Sequence, residues 1–195
     1  MWHWCSLAPG RHSIAVDLQA LLSCTRCELS ENRQRVVVGS GPNRPTVLVV
    51  GEAPGKTEDE GGEPFIGRSG QLLFKLIEEE VGITRLDCFV TNIAKCRPPN
   101  NRPPTPKECE ACRPWLLEQL DSLSPRVVLS VGNTATRQLY GVKEGISEIH
   151  GHWFELNGVP GMATYHPAAG LRSPNTVIPM IREDLRKLKS QLDSQ

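Results

Sequence analysis

Net charge is what this sequence lacks first: 22 lysines and arginines stand against 22 aspartates and glutamates in 195 residues. The whole-molecule field therefore argues neither for nor against a polyanionic partner, and any nucleic-acid surface has to be a local patch. No apolar run approaches the length that crosses a bilayer, and the opening MWHWCSLAPGRHS lacks the basic-then-apolar order of a signal peptide. We expect an intracellular, cytoplasmic chain with no membrane partner. Internal repeats and low-complexity linkers are missing too, and the length suits one full α/β domain with a sizeable core better than two.

A nucleotide-binding loop is also missing, although Gly55-Lys56-Thr57 imitates one. Such a loop needs four residues between its first glycine and Gly-Lys-Thr, so that a row of backbone N–H groups and a helix N-terminus face the phosphate. Here Gly51 and Gly55 enclose only Glu52, Ala53 and Pro54. Pro54 has no N–H, and the acidic run Glu58-Asp59-Glu60-Gly61-Gly62-Glu63 repels phosphate.

What is present is an alternation of strand and helix patterns. Apolar runs bounded by turn residues predict strands at Thr46 to Val50, Cys88 to Ile93 and Val127 to Val131, with another near Met162 to Tyr165. Between them lie helical patterns: one near Val16 to Leu22, one capped by Ser69 with Leu72, Leu73, Leu76, Ile77 and Val81 on a single face, and one opened by the capping box Thr105/Glu108. A break or kink near Cys112 is expected from Pro114 in that last helix. A short helix from Asn133 to Tyr140 and a closing helix from Asn175 to Leu192, kinked at Pro179, complete the pattern. This predicts a single three-layer α/β/α domain around a central, mostly parallel sheet, spanning 13–195 after an N-terminal extension of 1–12. In such folds ligands sit beyond the carboxyl ends of the strands, where the loop from Gly51, the loop from Asn92 and the His166-Pro167 turn all emerge. Three loops are expected to face one cleft.

The seven cysteines are an odd number and include two C-x-x-C pairs, Cys24/Cys27 and Cys109/Cys112. In a reducing compartment such spacing suggests metal ligation before disulfides. The two pairs together could make a zinc site, although Cys109 comes 82 residues after Cys27, and Cys96 in the basic, proline-rich loop offers Cys24, Cys27, Cys96 and Cys112 as another all-thiolate set; zinc and an iron-sulfur cluster both take four thiolates, and the residues alone leave the two open. Cys5 and Cys88 read as ordinary, Cys88 as a small buried hydrophobe.

Three segments, GEAPG with GEPFIGRSGQLL between Gly51 and Leu73, TNIAKCRPPNNR from Thr91 to Arg102 and HPAAGLR from His166 to Arg172, together resemble the family 4 uracil-DNA glycosylases, the iron-sulfur branch of that superfamily. The order Cys24-x-x-Cys27, Cys96, Cys112 resembles the cluster ligands of the same family. The resemblance implies a four-iron four-sulfur centre on those four cysteines, with Cys109 spare. It implies an enzyme of base excision repair that extrudes uracil from single- or double-stranded DNA and hydrolyses its N-glycosidic bond. Phe65 would stack on the base, Asn92 would read uracil N3–H and O4 with its amide, and Gly51 and Glu58 would shape the pocket, Glu58 beside uracil C5. His166 would donate to uracil O2 as anionic charge develops, and Glu52 would orient water or stabilise the sugar cation. Lys95, Arg97, Arg102 and Arg172 would hold phosphates, with Leu171 or Arg172 filling the gap left by the extruded nucleotide. A monomer is expected. The competing expectation is a catalytically silent iron-sulfur or zinc nucleic-acid-binding module on the same fold.

Overall fold

Val47, Val49 and their neighbours Leu48 and Val50 are all fully buried, pointing alternately to two opposite faces of one sheet. In the computed structural model, which describes residues 17–195, that sheet has five strands: β1 (Val47–Gly51), β2 (Cys88–Asn92), β3 (Val127–Val131), β4 (Trp153–Leu156) and β5 (Val159–Thr164), in the order β2-β1-β3-β5-β4. All pairings are parallel except the antiparallel edge pair of β4 and β5. The N-terminal extension, Cys5 and the start of the first expected helix lie outside the described residues.

Helices α1 (Leu18–Leu22), α2 (Leu29–Asn32), α3 (Lys56–Gly61), α4 (Arg68–Val81), α5 (Pro106–Ser122), α6 (Asn133–Tyr140), α7 (Ile146–Ile149), α8 (Pro167–Arg172) and α9 (Pro174–Asp193) surround the sheet. One face is covered by α4 and α9, whose Leu73, Leu76 and Ile77 meet Ile181, Leu185 and Leu188 over Val47 and Val49. The opposite face is covered by α5 and α6 through Leu116, Ala135 and Leu139 against Leu48, Val50 and Val128. This is the three-layer α/β/α domain that the alternating pattern predicts. Truncating a side chain such as Leu185, fully buried at the centre of one layer, to alanine should cost about 2–5 kcal/mol. A third, smaller cluster joins Leu21, Leu29 and Val36 to Cys96, Cys112 and Trp115, and so fastens the N-terminal segment onto α5.

Four local expectations change. Ser69 does not cap α4: the N-cap is Gly67 in extended geometry, and its N–H is taken by the Glu58 carboxylate at 2.8 Å. Pro114 does not break α5, which runs unbroken through it, because the freed carbonyl falls on the exposed turn of Glu110, within reach of water. The closing helix begins one residue earlier than expected, at Pro174, and stays helical across Pro179, whose freed carbonyl belongs to exposed Asn175. The fifth strand, β4, is additional; Asn157 and Gly158 turn it into β5 with positive φ of 52° and 80°, as a two-residue hairpin turn requires.

The chain leaves β1 for β2 on one side and returns to β3 on the other. The crevice between the carboxyl ends of β1 and β3 is therefore the topological switch point of the sheet.

Candidate active site and thiolate recess

At that switch point lies a cavity of about 630 Å³, walled by the loop after β1, the end of β2, the β3–α6 turn and the start of α8. Glu52, Glu58, Phe65, Asn92, His166, Arg102 and Arg172 all line it. The three loops that the sequence assigns to one cleft do converge on one.

Gly51, the last residue of β1, is what allows the back wall to close. A Cβ there would stand 2.5 Å from both Asn92 Oδ1 and Phe65 Cζ, so only glycine lets the ring and the amide lie side by side. Phe65 is itself held at φ 58°, a left-handed conformation uncommon for a bulky residue. Gly70 of α4 packs its missing side chain directly against the Phe65 backbone. The ring is 8% exposed, and its centroid lies 6.3 Å from that of His166.

Asn92 ends β2 and is buried, yet no group among the described residues hydrogen-bonds its side-chain amide. An amide with both its donor and its acceptor free in a cavity wall is equipped to read a ligand edge.

His166 is the N-cap of α8, and its Nδ1 accepts the Ala168 N–H at 3.2 Å. The acceptor role excludes a proton at Nδ1, which leaves Nε2–H as the single donor of a neutral ring. Burial, reinforced by the positive charge of Arg172, pushes its pKa down to about 4. Gly132 in the β3–α6 turn, at φ 86°, makes room for the ring: a Cβ there would meet His166 Cβ at 3.0 Å.

The two carboxylates differ. Glu58 has both oxygens occupied by backbone, Oε2 by Gly55 N at 3.1 Å and Oε1 by Gly67 N at 2.8 Å, so that it clamps the two arms of the loop around α3. Glu52 receives a hydrogen bond from the Thr134 hydroxyl at the start of α6, which spans the switch point and steadies the carboxylate. Neither Thr134 nor Asp59, whose carboxylate accepts the Gln34 and Arg35 N–H groups behind the loop, stands out in the sequence. Glu58 at the third position of α3, reaching back to the N–H of its N-cap Gly55, was the available signal for the loop clamp.

The basic residues separate into groups. Arg172, exposed, and Arg102 reach the cavity rim, Leu171 stands beside Arg172 with 43% exposure, and Arg97 lies outside the wall with its Nε on Asn101 Oδ1 at 2.7 Å. Arg102 is paired with Glu108 through two hydrogen bonds of 2.6 and 2.8 Å, and that guanidinium, assisted by Thr105, holds the Glu108 carboxyl at about 2. Lys95 corrects the expectation of a phosphate contact. It is 1% exposed, with Nζ turned inward onto protein oxygens. Desolvation lowers its pKa to about 8 against the opposing pull of Cys112 and Cys96. Phosphate cannot reach it.

On the other side of Lys95, Cys24, Cys27, Cys96 and Cys112 line one recess, while Cys109 belongs to the core beneath α5. Three N–H donors point at these sulfurs: Arg33 to Cys96 at 3.4 Å, the Lys95 backbone to Cys112 at 3.3 Å and Trp115 Nε1 to Cys24 at 3.3 Å. Burial pushes the Cys96 thiol up to about 11, so a thiolate there needs the stabilisation that such donors, or a metal, provide.

A family model described as the uracil DNA glycosylase superfamily matches residues 38–189, from the segment before β1 into the last turns of α9. The chain belongs to the uracil-DNA glycosylase superfamily. Within this superfamily it is 42% identical to the type-4 uracil-DNA glycosylase of Thermotoga maritima over 170 residues, 86% of this chain and 88% of the relative. With the type-4 uracil-DNA glycosylase of Saccharolobus solfataricus it shares 39% identity over 180 residues, 88% of this chain and 83% of the relative. Similarity to the type-5 uracil-DNA glycosylase of Pyrobaculum aerophilum is lower, 33% over 138 residues, 63% of this chain and 61% of that protein. The type-4 branch of the uracil-DNA glycosylases is thus its place in the superfamily.

Proposed function

We infer that this chain is a uracil-DNA glycosylase of base excision repair, acting on single- and double-stranded DNA. The observation that carries the reading is the convergence of Phe65, Asn92 and His166 on one cavity at the sheet's switch point, in a member of the type-4 branch.

Uracil within a duplex is out of reach, so the nucleotide is extruded into the cavity. The base stacks on Phe65, and the free amide of Asn92 accepts from N3–H and donates to O4, a pattern that cytosine presents in reverse. Glu58, fixed by its two backbone donors, lies beside uracil C5 and leaves no space for a thymine methyl. Cleavage of the glycosidic bond builds negative charge on the departing base and positive charge on the sugar. His166 meets the first, its Nε2–H donating to O2 as the anion forms; a neutral donor suffices, as in an oxyanion hole. Glu52, steadied by Thr134, meets the second and orients the attacking water. Arg172 and Arg102 at the rim, and Arg97 beyond it, hold phosphates, and Leu171 or Arg172 fills the vacated stack.

Cys24, Cys27, Cys96 and Cys112 would hold a four-iron four-sulfur cluster; what supports this is that the four thiols line one recess and three N–H donors serve their sulfurs, with the residues drawn from both the N-terminal segment and α5. When bound, such a cluster supplies a cross-link between these segments and a redox-capable centre. The chain functions inside the cell as a monomer.

The direct test is incubation with a uracil-containing oligonucleotide followed by alkaline cleavage at abasic sites, with His166→Ala alongside. Strand breakage at uracil but not at thymine, lost in His166→Ala, is the expected result. A wild-type protein that binds DNA without releasing uracil would overturn the assignment in favour of a silent binding module.

A further inference from the structure

Lys95 is a fully buried ammonium for which the reaction above has no use. Its three N–H groups are all spent, on Thr91 Oγ1 at 2.7 Å, on the Asn92 carbonyl at 2.7 Å and on Gln119 Oε1 at 2.6 Å. Three acceptors converging on a single atom need three donors from that atom, and among side chains only an ammonium supplies them. Such charge-assisted bonds, shielded from water, hold their partners more firmly than neutral ones do.

The acceptors are not scattered. Thr91 and Asn92 are the last two residues of β2, and Asn92 is the cavity's free amide. Gln119 lies on α5 about two turns beyond Cys112, on the same helix face. Lys95 also meets that helix a second time, since its backbone N–H donates to Cys112 Sγ at 3.3 Å. Its carbonyl accepts the Val37 N–H at 2.8 Å, while Gln119 Nε2 and Thr91 Oγ1 both reach the Val38 carbonyl, at 2.7 and 3.1 Å. Between Asn92 and Lys95 the backbone is stitched to the catalytic loop as well, by Ile93 N to Gly51 O at 2.9 Å and Ala94 N to Glu52 O at 3.0 Å. One residue thus sits in contact with the base-reading strand end, with the cysteine recess and with α5.

We propose that Lys95 is a positioning residue for uracil recognition, fixing Asn92 through its carbonyl and tying it to the cysteine-bearing helix α5. The proposal rests on the reading of Asn92 as the base-recognising amide. Without the ammonium, three buried acceptors lose their donor, and the strand end that carries Asn92 is free to shift. A displacement of about 1 Å at such a group is enough for a loss on the order of a hundredfold in rate.

The test uses Lys95→Met and Thr91→Val, each purified as the iron-loaded protein, with kcat and KM on a single-stranded uracil oligonucleotide, inhibition by free uracil, iron content and the salt dependence of KM. For Lys95→Met, kcat should fall roughly tenfold or more with KM within about twofold, and the inhibition constant for free uracil should rise in step. Iron content and salt slope should stay at wild-type values. Wild-type kcat and uracil inhibition in Lys95→Met would overturn the proposal. So would iron lost in parallel with activity, or a salt slope reduced by about one, the mark of a lost phosphate contact. A variant that melts earlier but keeps the wild-type inhibition constant would show a merely structural lysine and overturn it too. Should Lys95→Met fail to fold, Thr91→Val, which keeps the side-chain shape and removes one acceptor of the ammonium along with the hydroxyl's own bond to the Val38 carbonyl, decides: a several-fold fall in kcat with weaker uracil inhibition upholds the proposal, and unchanged values defeat it. Absence of uracil release by the wild type would instead defeat the functional reading itself.

Discussion

The Ala168 N–H donates to His166 Nδ1, and this one bond decides which ring nitrogen can act. With Nδ1 occupied and the pKa held near 4 by burial, the imidazole is neutral at physiological pH and carries its proton at Nε2. Activity should therefore stay level as pH falls through the ordinary histidine range and drop only near 4, when Nδ1 takes a proton and the Ala168 bond is lost. The unfolded chain protonates this histidine near its ordinary 6.5, so between 6.5 and about 4 the unfolded state binds more protons and stability declines as pH is lowered. A pH series of single-turnover rates beside thermal melts checks both; a rate that falls with a midpoint near 6.5 would contradict the first. His166→Ala should cost about 10²–10³ in kcat, the scale of a lost oxyanion donor.

Gly51→Ala should leave the fold intact and the pocket closed. The added methyl would compete with Phe65 and Asn92 for the same space, and both are held by packing from behind. We expect kcat/KM to fall by about a hundredfold or more, with circular dichroism unchanged.

Asn92→Asp replaces an amide that accepts and donates with a carboxylate that only accepts. Uracil release should fall by about 10²–10⁴, because the site then leaves O4 without a donor and places a charge in a buried wall. The ratio of cytosine to uracil release should rise, as measured on paired oligonucleotides differing in that base alone.

The cysteines should divide cleanly. On the proposed ligand set, serine at Cys24, Cys27, Cys96 or Cys112 should lower the iron content and visible absorbance of the cluster-loaded protein, whereas Cys109→Ser should keep both, because Cys109 faces the core and not the recess. Iron analysis of the set is decisive; a bleached Cys109→Ser would redraw the ligand set.

Arg172 and Arg97 should act as phosphate contacts. Arg172→Ala and Arg97→Ala should each reduce the slope of log affinity against log salt by about one. Arg102→Ala should do more than that, since it also strips Glu108 of the partner that holds its carboxyl near 2. Stability from Glu108, present above its ordinary 4.5, is then lost at a higher pH than in wild type, visible as an acid melt shifted upward.

Much of this was legible in the sequence because it depends on local signals. Val47 to Val50 is a continuous valine and leucine run and Val127 to Val131 is one interrupted only by Ser130, as residues buried on both faces of a sheet require. The strand β4 escaped because Trp153 and Glu155 are exposed and only Leu156 is fully buried, although Asn157-Gly158 was there to mark the hairpin. Ser69 reads as a plausible cap, but α4 starts from Gly67, whose N–H goes to Glu58, nine residues before that glycine and across the loop. Lys95 misled for the same reason: in Lys95-Cys96-Arg97 charge reads as surface, and nothing local announces that Thr91 and Gln119 will gather around its nitrogen. Pairings of that kind belong to the tertiary fold, and only coordinates reveal them.

Phe65 at φ 58° has a kinetic consequence. A bulky residue held in that conformation stores on the order of 1–3 kcal/mol of backbone strain, which is charged to folding and not to the encounter with DNA. The ring is accordingly in place before any nucleotide arrives, and no loop has to reorganise to receive it. The pace of each search then falls to the polynucleotide: lesions that unstack readily, such as a wobble pair or an unpaired tract, are captured sooner than a well-paired one.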